Sequence, residues 1–195
     1  MEQKREISGI ILSGGKSSRM GSEKGMKIFN GKPLIEYAIE ALGISCKNII
    51  ISTNNPEFYE KYNIPLIKDE IKNIGPMGGI YSCLRQSNTE YNLVLSCDMP
   101  FIDKELISYL INAISSDYTA VVPVHDENKL EPLCAVYSRT SLITIEKQIW
   151  KEDYKLMNLL NEINVKKLII DEWDRFDMNY FRNFNSPKDL INSSI

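Results

Sequence analysis

The stretch ISGIILSGGKSSRMGSEK, residues 7–24, changes abruptly at position 13 from apolar to rich in glycine and serine. Its first part is a short isoleucine-rich run, which predicts a buried strand over Ile7–Leu12. Its second part holds glycines, which let a ligand approach the main chain, and exposed N–H groups in such a loop favour anions. Lys16, Arg19 and Lys24 add positive charge there. The stretch therefore predicts a strand that leads into a phosphate-binding loop.

This loop differs from the two commonest phosphate-binding motifs. A P-loop requires Gly-x-x-x-x-Gly-Lys-Ser/Thr, and the interval from Gly15 to Gly21 does not fit it. A dinucleotide-binding fingerprint requires Gly-x-Gly-x-x-Gly, which the adjacent pair Gly14 and Gly15 does not provide. The residues alone leave one alternative open, a glycine- and serine-rich surface turn with solvated charges.

The composition is that of an ordinary soluble globular protein. Of 195 residues, 43% are hydrophobic and 25% are charged, and the length suits one domain, residues 1–195. No apolar run approaches the roughly 18 residues that span a bilayer, and the N-terminus lacks the shape of a signal peptide. We therefore expect a cytoplasmic protein without a membrane partner.

The charge distribution favours a small anionic ligand. The formal net charge of −3 argues against nucleic acid as a partner. The first 33 residues nevertheless carry seven Lys and Arg against three Glu, a net of +4. A local positive field on an acidic protein suits a small anion.

The cysteines and the single histidine do not indicate a metal or nucleophilic site. The four cysteines form no Cys-x-x-Cys pair, and we expect small buried side chains. One histidine, His125, cannot form a multi-histidine metal site, and it argues against a catalytic triad. It lies beside Asp126 in a predicted turn, where we expect a structural or solvent-exposed side chain.

Strand and helix patterns alternate along the rest of the chain. Asn30-Gly31 indicates a tight turn before a helix that starts near Pro33, and Asp103 is placed to cap another helix. The further predicted strands are 48–52, 64–68, 91–96, 120–124, 132–137 and 165–170, and the further predicted helices are 79–86, 142–150, 154–163 and 186–192. This alternation predicts an α/β fold, a Rossmann-like, mostly parallel sheet flanked by helices on both faces.

Polar residues follow four of the predicted strands. In an open parallel sheet, ligands bind beyond the carboxyl ends of the strands. The residues at those ends are Ser13–Gly15, Asn54, Asp69 and Asp98. Asp98 beside a phosphate site is a candidate ligand for Mg²⁺, which takes one or two carboxylates plus substrate phosphates; a turn or cap role is the alternative. Asn54 and Asp69 could bind a base or ribose, or could serve their turns.

These motifs resemble those of molybdenum cofactor guanylyltransferases of the MobA type. The family signature Leu-x-Gly-Gly-x-x-x-Arg-Met-Gly-x-x-Lys is similar to the chain from Leu12 to Lys24, with Ser13 in place of the usual Ala. Further similar segments are 31–34, GKPL; 75–80, GPMGGI; 97–101, CDMPF; 131–133, EPL; and, more weakly, 184–190, FNSPKDL. The segments 125–129 and 150–180 match no motif of the family.

The resemblance implies a nucleotidyltransferase of the nucleotide-diphospho-sugar-transferase type. It implies a Mg²⁺-dependent transfer of GMP from GTP to molybdopterin that carries molybdenum, with release of pyrophosphate, and molybdoenzymes or their chaperones as further partners. The implied GTP contacts are Leu12, Ser13, Gly14, Gly15, Lys24, Asn54, Asp69 and Asp98, and Asp98 is also the implied metal ligand. The implied catalytic residues are Arg19, Lys24 and Asp98. No activated side chain is required, because the pterin phosphate is already a nucleophile.

Two other functions remain open at this point. A cytidylyltransferase of the same fold, acting on molybdopterin or another small phosphate, would resemble Leu-Ala-Ala-Gly at the loop. This chain has Gly14 and Gly15 instead, and we hypothesise that glycine at position 14 leaves room for a purine edge. The second alternative is a non-catalytic nucleotide-binding module, against which the joint presence of Arg19, Lys24 and Asp98 argues.

Overall fold

The computed structural model describes residues 5–14, 23–126, 128–177 and 179–184. The strands are β1 (Ile7–Leu12), β2 (Ile28–Phe29), β3 (Lys32–Pro33), β4 (Asn48–Ser52), β5 (Leu66–Ile67), β6 (Tyr91–Ser96), β7 (Ala120–His125), β8 (Lys129–Leu130), β9 (Cys134–Ser138) and β10 (Val165–Ile169). The helices are α1 (Leu34–Gly43), α2 (Pro76–Gln86), α3 (Lys104–Asn112), α4 (Leu142–Trp150) and α5 (Leu156–Glu162).

The central sheet has the order β10-β7-β9-β6-β1-β4-β5, with β8 paired to β7. Strands β4, β5 and β6 run parallel to β1, and β10 runs parallel to β7. Strand β9 is antiparallel to its neighbours β6 and β7. The predicted α/β fold with a mostly parallel sheet is therefore confirmed. Strand β5 is shorter than the predicted 64–68, because Pro65 has no N–H to donate to the ladder.

Side chains of β1 alternate between two cores, as the two-residue period of a strand requires. Ile7 and Ile11 pack with α1 and α3 on one face of the sheet. Ile10 and Leu12 pack with α2, α4 and α5 on the other face. Because both faces are covered, β1 is buried along its whole length, which explains its continuous apolar sequence.

Helix α2 begins at Pro76, three residues earlier than its predicted start at Gly79. The glycine-rich sequence before Gly79 predicts a loop, because glycine is a poor helix former. Inside the helix, however, a Cβ at Gly79 would lie 2.5 Å from Ser52 Oγ and 3.0 Å from Leu12 Cδ2. The glycine therefore allows α2 to pack directly against the ends of β1 and β4.

Several local predictions are also confirmed. Asn30 and Gly31 have φ values of 45° and 79° in the turn between β2 and β3. Asp103 caps α3 by accepting a hydrogen bond from Leu106 N at 2.9 Å. All four cysteines are buried and free of disulfides. The predicted helix 186–192 lies outside the described residues. None of the helices in the described ranges has both the length and the apolar character that crossing a membrane requires.

Candidate active site

Main-chain hydrogen bonds align the carboxyl ends of four neighbouring strands. Ser13 N donates to Ser52 O at 2.9 Å, and Cys97 N donates to Leu12 O at 3.1 Å. Thr53 N donates to Ile67 O at 2.9 Å, which aligns β4 with β5. The residues that follow β1, β4, β5 and β6 therefore emerge at one edge of the sheet, as the parallel topology predicts.

Lys24 and Asp98 form an ion pair at this edge. Asp98 follows β6 and is only 3% exposed. Its Oδ2 contacts Lys24 Nζ, and its Oδ1 accepts a hydrogen bond from Ser96 Oγ. Its main-chain oxygen accepts from Phe184 N at 3.0 Å. Both carboxylate oxygens of Asp98 are thus held in place. The positive charge of Lys24 offsets the free energy that it would cost to bury the Asp98 carboxylate alone.

Asn54 and Asp69 form a second pair, on the other side of β1. Asn54 Nδ2 donates to Asp69 Oδ2 at 2.9 Å, and Asp69 N donates to Asn54 Oδ1 at 3.3 Å. The two residues follow β4 and β5, which are adjacent parallel strands. This reciprocal bonding fixes one amide and one carboxylate side by side, a combination that offers both a donor and acceptors to a ligand.

A hydrogen-bond network centred on a buried tyrosine reaches the residue before Lys24, and the sequence did not predict it. We call it the Tyr59 network; its members are Ser13, Glu23, Asn55 and Tyr59. Tyr59 is fully buried, with its hydroxyl in contact with Ser13 Oγ and 3.0 Å from Glu23 Oε1. Desolvation by burial, with the Glu23 carboxylate adding to it, raises the pKa of the Tyr59 phenol far above its ordinary value. The phenol is therefore a hydrogen-bond donor at any physiological pH.

The other predicted site residues have varied placements. The Leu12 side chain belongs to the core, so any contact it makes with a nucleotide involves its main chain. Gly14 is exposed, and no atom of the described residues lies within 4 Å of a Cβ built there. Gly15 and Arg19 lie outside the described residues, and their roles stay predictions.

The donor set around Asp98 fits a magnesium ion bound together with a nucleotide. Its carboxylate supplies oxygen ligands, which Mg²⁺ prefers. No group of three or more His, Cys, Asp and Glu side chains in the described ranges is arranged to hold a metal by itself. A site with one carboxylate matches an ion that takes its remaining ligands from substrate phosphates and water.

His125 lies at the same sheet edge, beyond β9, and is only 5% exposed. The solvent-exposed alternative predicted for it is therefore wrong. Its Nε2 is 2.8 Å from Glu131 Oε1, its Nδ1 is 3.0 Å from Asp126 Oδ2, and its ring stacks on Phe181 at 4.4 Å. A lone histidine in a predicted turn gives no sign of this pairing, because Glu131 and Phe181 reach it only through the tertiary fold.

Solved structures of similar shape define the class of protein. The "Molybdopterin-guanine dinucleotide biosynthesis protein A" of Archaeoglobus fulgidus has a TM-score of 0.80 to this chain at 28% identity, over 95% of both chains. A 4-diphosphocytidyl-2C-methyl-D-erythritol synthase of Anaerococcus prevotii has a TM-score of 0.70 at 16% identity, covering 97% of this chain and 94% of its own, and shares the fold alone. The fold is that of nucleotidyltransferases of the nucleotide-diphospho-sugar-transferase type.

Sequence comparison identifies the family within that class. Residues 9–167 match the MobA-like NTP transferase domain. A "Probable molybdenum cofactor guanylyltransferase" of Flavobacterium johnsoniae is 37% identical over 193 residues, covering 97% of each chain. A protein of the same name from Methanocaldococcus jannaschii is 34% identical over 204 residues, covering 96% of this chain and 98% of its own. The chain belongs to the MobA-like NTP transferase family.

Proposed function

We propose that this chain transfers GMP from GTP to molybdopterin that carries molybdenum, and releases pyrophosphate. The observation that carries the proposal is the Lys24–Asp98 pair at the end of β6, beside the end of β1. A cation and a buried carboxylate at that edge are the groups that a polyphosphate and its metal ion require. The names of the relatives at 34–37% identity favour the guanylyl over the cytidylyl reaction.

The chemistry requires no nucleophilic side chain. An oxygen of the pterin's terminal phosphate forms a bond to the α-phosphorus of GTP. The bond from that phosphorus to the oxygen bridging to the β-phosphorus breaks, and pyrophosphate leaves with the electron pair. Lys24, with Arg19 as a second cation, is proposed to hold the triphosphate and to offset charge that develops on the leaving group. Asn54 and Asp69 are proposed to bind the base or ribose.

We propose that the reaction depends on Mg²⁺ and that Asp98 holds the ion. When bound, Mg²⁺ would supply neutralising charge to the phosphates of the nucleotide. Lys24 forms an ion pair with Asp98, and a triphosphate would offer that lysine a further anionic partner. We also propose that the enzyme works in the cytoplasm and that its product passes to molybdoenzymes or their chaperones.

Nucleotide preference tests the proposal directly. In the presence of Mg²⁺, GTP should raise the melting temperature more than CTP, UTP or ATP do. GTP should also support the fastest release of pyrophosphate when molybdopterin carrying molybdenum is added. A larger shift and faster turnover with CTP would move the function to the cytidylyl branch, and nucleotide binding without any pyrophosphate release would favour the non-catalytic module.

Gly14→Ala tests whether glycine at position 14 makes room for the base. Because no described protein atom lies within 4 Å of the new Cβ, the methyl group should leave stability unchanged. A loss of GTP affinity would therefore report a clash with the ligand. Gly43→Ala at the end of α1 is the matched control, since its Cβ also meets no described atom and the position is far from the sheet edge in sequence and fold. Unchanged GTP preference in Gly14→Ala would contradict the steric explanation.

A further inference from the structure

The hydroxyl of Tyr59 joins two positions that lie on either side of residues 15–22. On one side is Ser13, which directly follows β1 and whose Oγ contacts the phenol oxygen. On the other side is Glu23, whose Oε1 lies 3.0 Å from the same oxygen. Asn55 Nδ2 donates to the second carboxylate oxygen, Oε2, at 2.8 Å. One buried hydroxyl thus ties the end of the strand to the residue immediately before Lys24.

The direction of the hydrogen bonds in this tie is fixed. A carboxylate only accepts, so the single phenol proton of Tyr59 points to Glu23. In the bond between the two hydroxyls Ser13 Oγ is then the donor, and Cys97 Sγ, 3.4 Å from the same oxygen, is its alternative acceptor. Loss of the phenol oxygen breaks both bonds of Tyr59 at once, and it leaves Ser13 with the longer contact to Cys97 and Glu23 with the hydrogen bond from Asn55.

Gly25 provides the space that the tie occupies. A Cβ at this position would lie 2.5 Å from Ser13 Oγ and 2.7 Å from the Tyr59 hydroxyl. Both neighbours of Lys24 in the chain therefore depend on the same hydroxyl: Glu23 accepts its hydrogen bond, and a side chain at position 25 would collide with it. Lys24 lies between them and extends to Asp98.

We propose that Tyr59 is a positioning residue of the transfer reaction, which acts by holding Lys24 at the place where the triphosphate binds. The inference rests on the proposed function, because that function assigns Lys24 to the triphosphate. Tyr59 itself is fully buried, so its hydroxyl is not accessible to a substrate from solvent. Its effect on the reaction passes through the position of Lys24.

Tyr59→Phe removes the hydroxyl and keeps the ring. We expect kcat/KM for GTP to fall about tenfold, because a tenfold change corresponds to roughly the net free energy of one hydrogen bond. Tyr62→Phe is the matched control, because Tyr62 lies three residues further along the chain and its hydroxyl donates to Glu36 at 2.9 Å instead. That control should lose less stability, because its hydroxyl makes one hydrogen bond at a partly exposed position, and it should keep its kcat/KM. A Tyr59→Phe protein with the kinetics of the starting protein would overturn the inference.

A double-mutant cycle with Lys24→Ala separates positioning from a general loss of stability. If Tyr59 acts through Lys24, Tyr59→Phe should lower kcat/KM in the starting protein and should have little further effect once Lys24 is absent. An equal loss in both backgrounds would overturn the inference, since the hydroxyl would then act by another route. Melting temperatures of all four proteins show whether any of them has unfolded at the assay temperature.

Two further measurements keep the test decisive. If Tyr59→Phe does not fold, Glu23→Ala cuts the same tie from its other end and enters the same cycle with the same expected outcome. The starting protein is assayed first, for GTP binding and for pyrophosphate release. Failure there contradicts the proposed function, whereas an active starting protein with an additive cycle contradicts only the role of Tyr59.

Discussion

On one side of the sheet edge, polar residues follow directly from the parallel strands β1, β4, β5 and β6. On the other side, a histidine comes from the end of β7, a glutamate directly follows β8, and a phenylalanine comes from the segment 179–184. The first side, which we call the nucleotide half, holds Asn54, Asp69 and Asp98. The second side, the His125 half, consists of His125, Glu131 and Phe181. Strand β9 separates them, and Ser96 N joins them by donating to Leu133 O at 2.8 Å.

The two halves differ in how their side chains are held. In the nucleotide half, Asp98 forms an ion pair with Lys24 at the ends of the parallel strands. The side chains of Asn54 and Asp69 remain partly open to solvent. In the His125 half, His125 and Glu131 are buried against each other and against an aromatic ring. We therefore expect changes in the nucleotide half to affect mainly turnover and changes in the His125 half to affect mainly stability.

The largest expected effect is that of Asp98→Asn, which alters the nucleotide half. The substitution keeps the shape and removes the charge that pairs with Lys24 and is proposed to hold Mg²⁺. GMP transfer should fall by about two orders of magnitude or more. The free energy of unfolding should fall by only about 1 kcal/mol, because the amide oxygen still accepts a hydrogen bond.

Magnesium-dependent pyrophosphate release and thermal unfolding of the same protein measure both effects of Asp98→Asn. Asp103→Asn is the control for turnover, because asparagine caps a helix as well as aspartate and Asp103 caps α3. It gives up the hydrogen bond that Asp103 Oδ2 accepts from Tyr180 at 2.8 Å, so a small loss of stability is expected there too. Retained turnover in Asp98→Asn, together with a large loss of stability, would show that Asp98 stabilises the fold and does not take part in the reaction.

His125→Ala should have the opposite pattern. It removes the ring that stacks on Phe181 and leaves the buried Glu131 carboxylate without its nearest partner, although Lys129 Nζ remains 3.0 Å away. We expect a loss of about 3 kcal/mol in the free energy of unfolding, measured by urea denaturation, and an unchanged KM for GTP. Asp126→Asn, which removes the charge of the exposed partner and suits the positive φ of 42° at this position, should cost little. A raised KM without lost stability would place His125 in nucleotide binding.

The thiols should make stability depend on pH in both halves alike. Burial raises the pKa of the Cys97 thiol from 9.0 to about 12, and burial raises that of Cys134 as well. Above about pH 9 the unfolded chain loses thiol protons that the folded chain keeps, so the free energy of unfolding falls as pH rises. Each thiol contributes at most about 1.4 kcal/mol per pH unit.

Urea denaturation between about pH 7 and about pH 10.5 measures this dependence, because the range spans the ordinary pKa of a thiol. Cys97→Ala and Cys134→Ala should each make the decline above about pH 9 less steep. The same effect is expected of both substitutions, even though Cys97 is next to Asp98 in the chain and Cys134 is not. A decline that neither substitution changes would assign the pH dependence to other groups whose pKa burial raises, which are the thiols of Cys46 and Cys83 and the buried tyrosines.

Gln148→Met has the smallest expected effect and serves as a reference outside both halves. Gln148 on α4 is fully buried, and neither atom of its amide group has a hydrogen-bond partner among the described residues. An apolar side chain of similar length should stabilise the protein by about 1 kcal/mol and leave turnover unchanged. Gln86→Met, at an exposed position of α2, should leave the melting temperature where it is. A destabilised Gln148→Met protein would indicate that the amide has a partner after all.

The nucleotide half could be predicted from the amino-acid sequence because its signals are local. Continuous apolar runs indicate buried strands, and parallel strands that alternate with helices must end at one edge, so the strand pattern alone groups Asn54, Asp69 and Asp98. The roles that the resemblance gave to Gly15 and Arg19 stay predictions, since both lie outside the described residues.

The Tyr59 network and the His125 half could not be predicted, because long-range contacts create them. Nothing in the stretch 56–62 distinguishes the fully buried Tyr59 from its more exposed neighbours Phe58 and Tyr62. The start of α2 was misplaced for a similar reason. The low helix propensity of glycine was outweighed by the close approach of Gly79 to Ser52, which is visible only in the folded chain.

Strand β9 has a consequence for how this fold can diverge. Because β9 is antiparallel to β7, the chain turns back after His125, pairs with β7 through the short strand β8, and returns to the same edge at Cys134, where it pairs with Leu95. Lengthening such an excursion costs little, about 0.6 kcal/mol for each doubling of a flexible loop. Insertions in the turn after His125 would therefore remodel the His125 half without shifting β6, the strand that Asp98 follows. The His125 half can thus vary in sequence and length between related proteins while the nucleotide half keeps its structure.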